Sequence, residues 1–122
     1  MNKPQFPLEG DIWIVKFDEL KEFSKPFRLC IVVSNNTQNE FDDKVIVVPT
    51  TASEMEWIRI FEVFIENTSE NGLDKPSKVL CNYPHTIYKK LRLAGTKKVG
   101  VVSPEIMIKV KKALKITLDL ES

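Results

Sequence analysis

A chain of 122 residues, 43% apolar and 29% charged, can build one hydrophobic core and is too apolar to remain disordered. A formal charge of +1 excludes bulk attraction to nucleic acid, so any such binding must rest on a local patch. No apolar run approaches the roughly 18 residues of a membrane span. The opening MNKPQFPLEG has one lysine, two prolines and no apolar centre, unlike a signal peptide; the expectation is one cytoplasmic domain over residues 1–122.

In chain order, Gly10-Asp11 reads as a turn and Ile12–Phe17 (IWIVKF) as a β-rich run. Asp18–Pro26 is polar, charged and closed by proline, which predicts a loop. Leu29–Val33 and Val45–Val48 are near-continuous β-branched runs, the pattern of strands buried on both faces. Ser34–Asp43, with Asn35, Asn36 and Asn39, suits a turn and one helical turn. Trp57–Glu66 (WIRIFEVFIE) predicts a long strand, and Asn67–Pro76 a loop around the hairpin dipeptide Asn71-Gly72. Val79–Tyr83 and Lys98–Val102 are further strands.

The C-terminal segment changes period. Ser103 suits an N-cap, Pro104 the first helical position and Glu105 the first turn. Ile106, Met107, Val110, Ala113, Leu114 and Thr117 then recur at helical spacing, with Lys109, Lys111, Lys112 and Lys115 on the flanks or the far face. Several short strands and one terminal helix predict a mostly β, α+β fold: a small SH3-like β-barrel capped by the helix.

Candidate chemistry is sparse. Cys30 and Cys81 each sit in an apolar run and read as small buried thiols. With His85 as the only histidine, they form no convincing zinc set, and no metal site is expected. A mechanism built on two histidines is excluded, and nucleophile-elbow, Walker and dinucleotide motifs are missing. The informative stretch is Arg28–Thr51, where an arginine opens one strand and a hydroxyl closes the next. A guanidinium fork and a hydroxyl held at strand ends suit phosphate recognition. Taken alone, Arg28 reads better as a surface ion pair with Glu19 or Glu22, and Thr51 as a strand-end residue. Trp13 and Trp57 are able to stack on bases, although strand aromatics are more often core. Arg59, Lys89, Lys90 and Arg92 form either a basic rim or a set of solvated positions.

Six segments in order, GDIWIVKF (Gly10–Phe17), RLCIVVSNN (Arg28–Asn36), KVIVVPTTAS (Lys44–Ser53), NGLDKPSKVLCN (Asn71–Asn82), HTI (His85–Ile87) and VGVVSPEIMIKVKKAL (Val99–Leu114), resemble the MazF/PemK toxins of bacterial toxin–antitoxin modules. The resemblance covers about Leu8 to Leu120. It implies a homodimeric MazF/CcdB-like barrel that cleaves single-stranded RNA, messenger RNA included, at short sequences without metal or cofactor. The 2′-hydroxyl would attack and leave a 2′,3′-cyclic phosphate, and a cognate antitoxin would block the site. The family's catalytic arginine and threonine match Arg28 and Thr51. Ser53, near Thr51, is a candidate phosphate contact, and Asn82, His85 and Thr86 are candidate RNA contacts.

The chain also departs from that pattern. Leu29 stands where the family usually has proline, and the loop Asp18–Phe27 is shortened and lacks glycine. Asn82-Tyr83 and His85-Thr86 replace an acid–glutamine pair and an arginine–threonine pair. Two alternatives follow: a non-enzymatic gyrase poison of the CcdB type on the same barrel, or a degenerate member that only binds RNA or a partner protein.

Overall fold

The computed structural model describes residues 6–17, 26–93 and 95–120. Among the described residues, seven strands follow in chain order: β1 (Asp11–Lys16), β2 (Phe27–Val32), β3 (Lys44–Thr51), β4 (Glu62–Ile65), β5 (Ser77–Leu80), β6 (His85–Tyr88) and β7 (Lys98–Val101). Short helices α1 (Asn36–Phe41) and α2 (Lys89–Arg92) interrupt them, and α3 (Pro104–Leu118) closes the chain. The strands form one curled antiparallel sheet in the order β4-β5-β3-β2-β1-β7, with β6 also paired to β3.

Strand β3 organises this sheet. Cys30, Ile31 and Val32 of β2 pair with its Pro49, Val48 and Val47. Its Lys44–Val47 stretch pairs with β6, and its end, Thr50 and Thr51, pairs with Val79 and Lys78 of β5. Alternation along the pleat sends β-branched side chains to both faces. Ile12, Ile31, Val48, Val63, Ile65 and Val79 join Val110 and Ala113 of α3 in one core. Val15, Phe17, Cys30, Val32, Val45, Val47, Ile87 and Leu93 form a second core on the other face. The predicted helix is present as expected: the Ser103 hydroxyl accepts from Ile106 N at 3.2 Å, and Pro104 opens α3.

The first strand is held on both edges. It pairs with β2 from Ile12↔Ile31 to Lys16↔Phe27, and with β7 through Asp11↔Val101 and Ile12↔Gly100. An ion pair of 3.2 Å between Lys98 and Asp11, and a 3.0 Å bond from Val102 N to Gly10 O, reinforce that second edge.

Three expectations need correction. Trp57–Glu66 is not one long strand, because only Glu62–Ile65 pairs. Before it, Arg59 N donates to the Glu62 carboxylate at 2.9 Å and Glu62 N to Arg59 O at 2.9 Å, folding a turn. The Glu54 and Trp57 carbonyls are taken by the Lys78 amine, so tertiary bonding overrides β propensity here. Asn71-Gly72 is likewise no two-residue hairpin. Asn71 is buried and bonds Glu66 O, Thr68 N and Leu73 N at 2.8–3.0 Å, bracing a longer loop. Gly72 (φ +71) and Gly100 let that loop meet β7 backbone to backbone, since a Cβ on either would lie 2.4 Å from a carbonyl oxygen. Third, β6 and α2 were not expected as elements. The loop predicted at Asp18–Phe27 lies mostly outside the described residues.

Candidate functional site

The strand ends that carry Arg28 and Thr51 lie side by side where β2, β3 and β5 come together. Carried two residues beyond Cys30↔Pro49, the β2–β3 register sets Arg28 level with Thr51. Arg28 Nη2 donates to Thr50 O at 3.0 Å, so the guanidinium is tied to the strand that ends in Thr51. The two threonines divide the work by alternation. Thr50 is buried and donates its hydroxyl to Leu29 O at 2.9 Å, lacing β3 to β2. Thr51 faces the other way, half-exposed, and its Oγ1 accepts from Ser53 N at 3.1 Å in a tight turn. Ser53 therefore touches the candidate hydroxyl through its backbone, while the residue itself is exposed.

The remaining candidates are distributed unevenly. His85 pairs with Val47, on the face that carries Arg28 and Thr51. Its Nδ1 lies 2.9 Å from Tyr83 O, and its ring meets Phe17 edge-on at 5.6 Å. Val47 lies four residues before Thr51 on β3, about 13 Å along an extended strand, too far for both to touch one phosphate. Thr86, the neighbour of His85, pairs with Ile46 and emerges on the opposite face, away from the pair. Asn82 lies in the break between β5 and β6; its Oδ1 is buried with no hydrogen-bond partner among the described residues. The structure thus brings Arg28, Thr51 and Ser53 together, keeps His85 on their face, and separates Thr86.

The thiols and the basic rim have structural explanations. Burial pushes the Cys30 thiol far up, an effect the nearby Arg28 charge partly offsets. Burial and the Glu62 carboxylate push Cys81 up to about 12. Both are free, and they sit in different cores on opposite faces, which leaves two unreactive thiols. Lys89 Nζ donates to Asn39 O at 2.7 Å and Arg92 Nη1 to Lys16 O at 3.3 Å, so these two cations help hold the fold.

One residue near the site was not singled out in the sequence. Lys78, which lies between the predicted loop and the predicted strand, is only 4% exposed and is the Cα partner of Thr51. Its amine pairs with Glu62 at 3.2 Å and donates to Glu54 O at 2.9 Å and Trp57 O at 3.1 Å. A lysine within SKVL is the only sequence signal for it, and its partner is unreadable without the register. Of the two tryptophans read as core or base-stacking, Trp57 is 74% exposed, whereas Trp13 is half-buried against the second core.

Comparison with known proteins gives a consistent pattern. A family model described as a PemK-like, MazF-like toxin of type II toxin–antitoxin systems matches residues 8–118. A mycobacterial endoribonuclease in complex with its cognate antitoxin is 22% identical, with 95% of this chain and 98% of that one covered at a TM-score of 0.75. A second mycobacterial endoribonuclease is 23% identical, covering 100% and 97% at 0.72. MazF from Deinococcus radiodurans is 16% identical, covering 95% and 99% at 0.77. At these identities the solved structures speak to the fold, and they match the small barrel with its C-terminal helix. No curated protein sequence matches the chain significantly.

Proposed function

The chain belongs to the PemK-like, MazF-like toxins of type II toxin–antitoxin systems, and on that premise we propose that it is a sequence-specific endoribonuclease whose reacting groups are Arg28 and Thr51. The observation that supports this reading is the anchoring of the Arg28 guanidinium on Thr50 O at 3.0 Å, the residue next to Thr51 at the β2–β3 end. Single-stranded RNA is the substrate, because sequence-reading proteins engage unstacked bases.

The 2′-hydroxyl of the substrate attacks the adjacent phosphorus in line. The 2′-hydroxyl gives up its proton to solvent, the bond to the departing 5′-oxygen breaks, and that oxygen takes up a proton, leaving a 2′,3′-cyclic phosphate and a free 5′-hydroxyl. Negative charge grows on the non-bridging oxygens and on the leaving oxygen. Arg28 meets that charge with the paired donors of a planar guanidinium. The Thr51 hydroxyl supplies a further donor, fixed in place by the bond it accepts from Ser53 N. No step in this scheme calls for a metal or cofactor. Asn82 and His85 fall outside the reaction and act, in this reading, as contacts to the RNA. Thr86 is withdrawn from that group by its place on the opposite face.

A homodimer and a cognate antitoxin that covers the site belong to the same proposal. The likeness to a mycobacterial endoribonuclease in complex with its antitoxin supports the latter. The direct test incubates the protein with long single-stranded RNA and a chelator, beside Arg28→Ala and Thr51→Ala. Removing one such donor typically lowers turnover by about 100-fold or more, and the wild-type products should carry cyclic phosphate ends. Intact RNA with the wild type, or variants that cut as well as it does, would refute the assignment. Intact RNA together with gyrase inhibition would favour the gyrase-poison alternative.

A further inference from the structure

Residues 52–61 leave β3 directly after Thr51 and fold back over Lys78. An ammonium group has three donors, and this one spends them on Glu54 O, Trp57 O and the Glu62 carboxylate. The lysine and glutamate side chains are 6% and 7% exposed. A buried ion pair contributes little net stability relative to an apolar pair of the same size, although removing one partner alone is costly, and what this pair adds is geometric: it fixes the backbone at Glu54 and Trp57. Glu54 is held at φ +54, a conformation that a mobile loop would relax. Above this clamp the Trp57 side chain projects into solvent, 74% exposed. Because Lys78 is the Cα partner of Thr51, the clamp ties the Trp57 backbone carbonyl to the strand beside the proposed reaction centre. The separation is one inter-strand step, about 5 Å, plus the length of a lysine side chain.

We infer that residues 52–61 form a fixed base-stacking platform, on which Trp57 takes the face of an unstacked RNA base beside the phosphate at Arg28 and Thr51, with Lys78 as its positioning residue. This rests on the ribonuclease reading above and adds a specificity-determining contact to it. A large planar side chain on a pinned backbone loses little freedom when a base settles on it, and stacking accepts any base face. Glu54 and Glu56 are exposed on the same segment, so the contribution of Trp57 is not electrostatic. It should therefore persist at high salt, where phosphate contacts weaken.

The test uses wild type, Trp57→Ala and Trp57→Phe with a 2′-deoxy-substituted oligonucleotide that binds but cannot cyclise. Trp57→Ala should bind roughly 5- to 100-fold more weakly at both low and high salt, and Trp57→Phe should recover most of that loss. On cleavable RNA the alanine variant should raise KM and leave kcat near wild type. In the Lys78→Met, Glu62→Gln background, removing Trp57 should have little further effect, because the platform is already loose. The chain has two tryptophans, so in Trp13→Phe protein the emission of Trp57 alone should be quenched by RNA. Cleavage and binding unchanged in Trp57→Ala overturn this inference and leave the ribonuclease reading standing. A wild type that neither binds nor cuts RNA removes both. A Trp57→Ala variant that keeps RNA binding but loses the antitoxin assigns the residue to a protein surface and also overturns the inference.

Discussion

Replacing Lys78 by methionine should destabilise the protein by about 4 kcal/mol, a large fraction of the 5–15 kcal/mol typical of a domain of this size. Methionine fills much of the same volume, so packing loss contributes little. The cost comes from the groups left behind. Glu62 keeps one bond, from Arg59 N at 2.9 Å, but its charge stays buried without a counter-ion. The Glu54 and Trp57 carbonyls lose their donor and must find water, which requires the overlying segment to lift. Neutralising the orphan should reverse part of the damage. Lys78→Met with Glu62→Gln keeps an acceptor for Arg59 N and should recover roughly half of the loss. Urea denaturation of wild type, both singles and the double, closed as a thermodynamic cycle, measures this. A Lys78→Met cost below about 1 kcal/mol would refute the buried-clamp argument, as would a double variant no more stable than Lys78→Met alone.

Two further outcomes follow from geometry and burial. Gly100→Ala and Gly72→Ala should each cost several kcal/mol or prevent folding, because the new Cβ would lie 2.4 Å from a backbone oxygen. Gly10→Ala, whose Cβ would find only ordinary contacts from 3.6 Å outwards, should cost about 1 kcal/mol for its φ of +91; comparable melting points for all three would contradict the close approach at β7. The Cys81 thiol is raised from 9.0 to about 12 by burial and by Glu62, and Cys30 moves in the same direction. The unfolded chain therefore releases thiol protons first as pH rises, and it binds fewer protons than the fold. Stability from this source is full below 9.0 and declines as pH climbs towards 12. The urea midpoint should fall across that alkaline window, less so in Cys81→Ala, and a midpoint equally steep in that variant would sink the account.

The parts of the fold readable from sequence were those with local signals. The Ser103-Pro104-Glu105 cap, the apolar spacing through Val110 and Ala113, and the β-branched runs of β2 and β3 needed no tertiary information. Strand β6 was hidden because HTIY is short and follows Pro84, and Trp57–Glu66 misled because β-formers fill a segment whose carbonyls bond a lysine side chain. Arg28 and Thr51 were visible as types at strand ends, but their proximity is a property of register. Register also withdraws Thr86 while keeping its neighbour His85, a distinction one residue wide. Lys78 shows the remaining gap, since a buried lysine is recognisable only once its acceptors are in place.

Strand β1 is bonded on one edge to β2 and on the other to β7, so the first strand made waits for the last. Synthesis proceeds at about 5–20 residues per second, and Lys98–Val101 and α3 follow the other strands in chain order. Until they emerge, β1 is an edge strand and the apolar face that receives Val110 and Ala113 is uncovered. Pairing of β1 with β7 and docking of α3 therefore come after the rest of the sheet has been made.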